Sequence, residues 1–258
     1  MRPLHEIPAP AIHGLRGIFA DIDDTLTWRG KLVPAAVQAI FDARAAGLRV
    51  MLATGRPGGW GEVLGHLLPV DAVVTENGGY ALLADGTRRF WDDDATRAEQ
   101  RRRLDALVAE AARELPFAGL ALDAPLRRVD VAFDVNEHRH LSREQIDQLA
   151  ALAHSHGAKT VVSSIHLHAF YGDHDKAKML VRLAGELWQE SPVAVRAHYL
   201  FAGDSPNDQA AFAYFPLAAG VANVRKYEAV LNPPPAFVAN REGGEGFAEI
   251  VWHVLAGR

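Results

Sequence analysis

Gly17-Ile18-Phe19-Ala20-Asp21-Ile22-Asp23-Asp24-Thr25 is a short apolar run that ends abruptly in carboxylates. Such a run suits a buried strand, and the polar residues behind it suit the turn that leaves the strand. The pattern recurs. Arg49-Val50-Met51-Leu52-Ala53 leads into Thr54-Gly55-Arg56, Ala72-Val73-Val74 leads toward Glu76-Asn77-Gly78-Gly79, and Tyr199-Leu200-Phe201-Ala202 runs into Gly203-Asp204. Between the first two runs, Pro34 fits a first helical turn, Ala36, Val37, Ile40 and Phe41 predict a buried stripe, and Gly47 predicts the stop. Short strands are expected at 217–221 and 236–239, and a last helix around 247–255. Strands alternating with helices predict an α/β fold: a Rossmann-like three-layer core around a parallel sheet.

Between 87 and 172 the texture changes. A long helix is expected from Asp94 to about Leu115, with Leu104, Leu107, Val108, Ala111 and Leu115 on one stripe. Residues 129–135 alternate with period two, Ser142 and Gln145 form a capping-box pattern, and 159–162 and 165–170 read as further strands. This predicts an α+β unit (87–172) inserted into a core made of 1–86 and 173–258. On its last strand Ile165, Leu167 and Ala169 face one way, while His166, His168 and Phe170 face the other.

Composition narrows the function. With 258 residues, 49% hydrophobic and 23% charged, the chain reads as one or two globular domains. It has no cysteine, which removes disulfides, thiol nucleophiles and Cys-bound zinc from consideration. The net charge of −5 argues against nucleic acid as the main partner. Arg101-Arg102-Arg103 is the one dense basic run, and its acidic neighbours mark a solvated helix face. No stretch approaches the length of a membrane span, and the first 17 residues, with three prolines, do not resemble a secretory signal. The expected setting is the cytoplasm.

Four polar clusters fall at strand ends or helix starts: residues 21–25, 54–56, 175–176 and 203–208. In open α/β sheets the ligand crevice lies outside the carboxyl ends of the strands. Clusters that each follow a parallel strand therefore converge there, and the first and last bring five aspartates. Packed carboxylates repel unless a cation intervenes, and an all-oxygen set suits Mg²⁺. A hydroxyl, a lysine and backbone N–H groups would complete an anion cradle for phosphoryl transfer. Each cluster alone also fits ordinary turn and capping chemistry, so their joint placement carries the reading. Lys178 competes with Lys176 for the lysine role, but two residues along a helix turn it about 200° away.

The four clusters, Asp21-x-Asp23-x-Thr25, Thr54 in Ala-Thr-Gly-Arg-Pro, Lys176, and Gly203-Asp204-x-x-x-Asp208, resemble in order the four motifs of the haloacid dehalogenase-like (HAD) phosphohydrolase superfamily. The inserted unit is similar to the larger α/β cap of its subfamily IIB, which includes many sugar-phosphate phosphatases. Asp24 departs from the pattern, since many members carry Gly there. The resemblance implies Asp21 as nucleophile and Asp23 as general acid/base. It implies Mg²⁺ held by Asp21, the backbone carbonyl of Asp23, and Asp204, with Asp208 beside them. Thr54, the Gly55 amide and Lys176 would bind the phosphoryl group, supported by Asn207. Arg56 would face phosphate or substrate, or serve as a scaffold ion pair. In capped relatives the polar face of the cap covers the site, which makes His166 and His168 candidates for leaving-group contacts.

The expectation is a Mg²⁺-dependent phosphatase that acts on a small phosphate ester, with sugar phosphates the leading class, through an aspartyl-phosphate. A phosphomutase or phosphotransferase on the same scaffold stays open, as does a non-catalytic phosphometabolite-binding module. Nothing in the sequence speaks to oligomeric state.

Overall fold

The computed structural model describes residues 1–258. Nine strands form the main sheet, in the spatial order Arg2–Pro3, Phe237–Val238, Ala218–Gly220, Tyr199–Gly203, Gly17–Asp21, Arg49–Ala53, Ala72–Thr75, Tyr80–Leu83 and Arg88–Phe90. The first seven run parallel, and the last two are added antiparallel. Register aligns the strand ends: Ala20 pairs with both Leu52 and Ala202, and Asp21 with Ala53. The polar residues that follow Asp21, Ala53 and Gly203 therefore emerge at one rim.

Strand alternation sends successive side chains to opposite faces. Ile18, Val50, Leu52, Leu200 and Ala202 enter one apolar layer, which also holds residues of the helices Pro34–Ala45 and Gly243–Ala256. Phe19, Met51, Tyr199 and Phe201 enter the other, with the helices Lys176–Trp188 and Gln209–Tyr214. Phe41 is a correction to the expected stripe. It is 48% exposed, and Ala39 and Ala43 fill the buried positions with Ala36 and Ile40. The last helix starts at Gly243, ahead of the expected 247. Gly243 has φ +52, and a Cβ there would stand 2.7 Å from the carbonyl oxygen of Thr27, so glycine lets the helix start close against that turn.

The inserted unit is a three-stranded antiparallel sheet, ordered Lys159–Val162, His166–Phe170, Val131–Asp134. Two helices, Asp94–Glu114 and Arg143–Ser155, cover one face through Leu104, Leu107, Ala111, Leu149 and Ala153. The Ser142–Gln145 capping box forms as expected. The boundary at 87 needs correction, because Arg88–Phe90 pairs with the strand Tyr80–Leu83 and extends the main sheet. Its residues Arg-Arg-Phe carry no apolar run, as befits an edge strand. The strand expected from 129 begins at Val131, and Val129 instead packs with Tyr80 and Leu82 of the core.

Candidate active site

Asp21 ends its strand with a buried carboxylate, and its Oδ1 accepts a hydrogen bond from Lys176 Nζ at 2.5 Å. The same ammonium donates to Asp208 Oδ1 at 2.7 Å. The other oxygen of Asp208 accepts the backbone N–H groups of Asp204 and Ser205 at 2.9 and 3.3 Å, which closes the turn after Gly203. Lys176 opens its helix, where the dipole disfavours a cation. Two carboxylates offset that cost: burial alone would lower the lysine pKa, but Asp208 and Asp21 outweigh it and hold the group well above its ordinary value. Lys178 points outward to Asp173, as the helical spacing required.

Oxygens of Asp21, Asp204 and Asp208 all lie within 4.8 Å of one another. Burial, and then the neighbouring carboxylates, push Asp204 well above the usual carboxylate range. Asp21 is likewise raised by burial, against the pull of Lys176. Asp204 Oδ2 accepts from Asn223 Nδ2 at 2.9 Å, whereas its Oδ1 is buried without a partner. Three buried carboxylates against one ammonium, with an orphaned oxygen among them, are the donor set a hard divalent cation fits. Asp21 and Asp204 offer free lone pairs, while both oxygens of Asp208 are engaged by Lys176 and the turn. The Asp23 side chain lies outside this group, so its contribution to a metal would be its backbone carbonyl.

The Asp23 carboxylate turns instead to Arg56. Arg56 Nε donates to its two oxygens at 3.1 and 3.2 Å, and Thr54 Oγ1 approaches at 3.4 Å. Thr54 is fully buried and also accepts the Arg56 N–H at 3.0 Å. Arg56 reaches across to the inserted unit as well, with Nη2 2.8 Å from Glu137 and Nη1 3.6 Å from Asp123. Arg56 thus makes an ion pair with Asp23 and Glu137 and also lines the cleft beside them.

Asp24 sits at φ +55, a left-handed conformation in which glycine is the unstrained residue. Asp24 therefore carries a carboxylate beside the site at a backbone conformation that glycine adopts more readily.

His166, His168, Gly55, Asn207, Asp21 and Asp23 line one narrow cleft between the two sheets. Both histidines are 1% exposed, so the polar face of the inserted sheet is buried against the core. His166 Nε2 is 2.9 Å from Glu137, and His168 Nδ1 is 2.8 Å from Asp130. Asn207 bonds Ser205 Oγ at the mouth of the helix that follows. The cleft adjoins a cavity of about 610 Å³ between Asp23 and the Trp28, Tyr227, Asn136 and Ser164 side chains.

Several residues here carry no sequence signal. Arg127, with its side chain fully buried, donates to the Gly55 carbonyl at 2.9 Å and to Asp130. Glu76, at φ +47, accepts the N–H groups of Arg128, Val129 and Asp130. Burial and Asp130 push the Glu76 carboxyl up to about 8, while those N–H donors pull it down. Asn223, which donates to Asp204, was likewise not among the expected site residues.

A family model for haloacid dehalogenase-like hydrolases matches residues 18–105, which hold Asp21, Asp23, Thr54 and Gly55. No curated protein matches the sequence. Among solved structures, Thermoplasma acidophilum protein 0175 superposes with a TM-score of 0.75 at 23% identity, covering 93% of this chain and 98% of that one. The sucrose-phosphatase of Synechocystis sp. PCC6803, solved with sucrose and phosphate, gives 0.67 at 17% identity, over 93% and 98% of the two chains. A HAD subclass IIB sugar phosphatase gives 0.67 at 11% identity, over 94% and 100%. At such identities the likeness is one of fold. It bears out the Rossmann-like α/β core with an inserted α+β unit, and with the family match it bears out the resemblance drawn from the motifs.

Proposed function

We propose that this haloacid dehalogenase-like hydrolase is a Mg²⁺-dependent phosphatase of a small phosphorylated metabolite, with a sugar phosphate as the leading class. The observation that carries the reading is the buried set of Asp21, Asp204 and Asp208 held by one lysine, with an Asp204 oxygen left without a partner. Asp21, the carbonyl of Asp23, and Asp204 would hold the ion. A bound Mg²⁺ would neutralise the carboxylates and stabilise charge on the transferring phosphoryl oxygens.

The protein's own groups divide the remaining work. Asp21, at the end of a rigid central strand, attacks phosphorus, and the phosphorus–ester oxygen bond breaks. Asp23 gives its proton to the departing oxygen, then takes one from the water that attacks the aspartyl-phosphate. That second displacement releases inorganic phosphate and restores Asp21. Lys176 and the Gly55 amide face the transferring group, and Asp208 orients Lys176. Thr54 joins them through Asp23 and the turn it closes, and Asn207 stands at the rim of the phosphate cleft.

The inserted unit acts as a cap that limits water and selects the leaving group. The aromatic rings of Trp28 and Tyr227, with Asn136, Glu137 and Ser164, give the adjoining cavity the mixture of flat apolar and hydrogen-bonding surface that a polyhydroxylated group fits. Both cap histidines line the cleft, which supports them as leaving-group contacts. The cytoplasm, where phosphorylated metabolites and Mg²⁺ meet, is the setting proposed, and no helix is long and apolar enough to cross a membrane.

A panel of phosphate esters assayed with Mg²⁺, with chelator, and with Asp21→Asn tests the proposal. Release of phosphate that needs both the metal and Asp21 supports it. Full activity in the Asn variant refutes the nucleophile, and no release from any ester, activated ones included, refutes the phosphatase.

A further inference from the structure

His168 stands over the phosphate cleft with its two ring nitrogens in unlike surroundings. Nδ1 is 2.8 Å from Asp130 Oδ2. Arg127 Nη1 binds that same carboxylate at 2.9 and 3.2 Å, and all three side chains are buried. Burial alone would raise the Asp130 pKa, but Arg127 and His168 outweigh it and hold the group well below the usual carboxylate range. An ionised carboxylate only accepts hydrogen bonds, so at 2.8 Å the proton must sit on Nδ1. The alternative donor to Nδ1, Arg127 Nη1, is at 3.5 Å and too far to reverse this. Burial also pushes the ring pKa down to about 4, against the pull of Asp130, so near neutral pH the second proton is missing.

Nε2 is then a bare lone pair. It makes no hydrogen bond within the protein and overhangs Gly55, where a Cβ would stand 3.0 Å from it. The cleft it faces is the one lined by Asp21, Asp23 and Asn207. A lone pair repels phosphate oxygens, so this nitrogen is no part of the anion cradle. It needs a donor from the substrate, at the first atoms beyond the phosphoryl group.

We propose that Asp130 fixes His168 as a hydrogen-bond acceptor that selects phosphate esters carrying a hydroxyl next to the ester carbon, and disfavours those with an apolar or anionic group there. The inference rests on the phosphatase reading and narrows its substrate class to vicinal hydroxy-phosphates. His168 is thereby a specificity residue, and Asp130 and Arg127 position it.

The test compares glycerol 1-phosphate with propyl phosphate, which differ by the hydroxyls, and uses p-nitrophenyl phosphate as a control. Wild type should favour glycerol 1-phosphate in kcat/KM by at least about tenfold, the discrimination expected when a buried acceptor loses its donor. His168→Leu should bring the ratio to within about twofold, and His168→Gln, which keeps an oxygen acceptor near the Nε2 position, should restore it. If wild type treats the two esters alike, or if His168→Leu keeps the preference, the inference is overturned and the phosphatase reading stands. Failure on all three esters overturns the phosphatase reading and the inference with it. Nitrogen-15 shifts of His168 in the folded wild-type protein give a readout free of turnover: a protonated Nδ1 beside an unprotonated Nε2 is required, and the reverse pattern refutes the mechanism.

Discussion

Replacing Asp204 by Asn should stabilise the metal-free protein and abolish its response to Mg²⁺. The oxygens of Asp21, Asp204 and Asp208 lie within 4.8 Å of one another, with Lys176 as the one countercharge in contact. At an effective dielectric of about 20, each carboxylate pair at this separation costs roughly 3 kcal/mol. Asp204 takes part in two such pairs, and its attraction to Lys176 offsets about one, so the variant should gain roughly 3 kcal/mol. Asparagine keeps the acceptor that Asn223 Nδ2 uses, so little packing is lost. For a chain of this size the gain should raise the melting temperature by roughly 5–10 °C. Melting scans at pH 8, where the raised Asp204 carboxyl is most ionised, with chelator and with excess Mg²⁺, read both effects. Wild type should rise with Mg²⁺, and the variant should start higher and not move. A variant that melts lower with chelator, or that gains as much from Mg²⁺ as wild type, would refute the reasoning.

Lys176→Met leaves the buried Asp21 and Asp208 without their shared cation, so stability should fall by about 3–5 kcal/mol in urea melts. An unchanged midpoint would show that the lysine is not what holds the carboxylates. Glu137→Ala cuts the strongest tie between Arg56 and the cap, and should raise KM several-fold for a bulky ester and little for a small aryl phosphate; steady-state kinetics on both would expose an equal change as counting against cap closure through Arg56. His168 stays neutral in the folded chain down to about 4, while an unfolded histidine takes up its proton near 6.5. Wild type should therefore lose about 3 kcal/mol relative to His168→Gln as pH falls through that window. Parallel stability-versus-pH curves for the two proteins would contradict this.

The core and the candidate site were legible because both are written locally. Each central strand is a short apolar run that stops at a polar residue of that site, as at Ala20-Asp21 and Ala53-Thr54, and parallel register brings those stops to one rim. Lys176 was singled out by its place in the first helical turn, and helical phase set it apart from Lys178. The cap's contribution was legible only in part. The two-residue period put His166 and His168 on one face, but their partners Glu137 and Asp130 depend on antiparallel register and a loop path. Arg56 was ambiguous for the same reason: its partners Asp23, Asp123 and Glu137 lie on three separate segments. The edge strand Arg88–Phe90 is charged where a strand signal would be apolar, and Phe41 is apolar where the surface would be polar. Glu76 and Asp24 adopt left-handed conformations usually left to glycine, and no propensity announces these.

The central claim is that Asp21 itself takes the phosphoryl group. Acid-quenched enzyme, caught within one turnover of an activated ester with Mg²⁺ present, should carry one phosphoryl group on the peptide containing Asp21 by mass spectrometry, and Asp23→Asn should let it accumulate. Phosphate released at the full wild-type rate, with no label on Asp21 in either protein, would contradict the account.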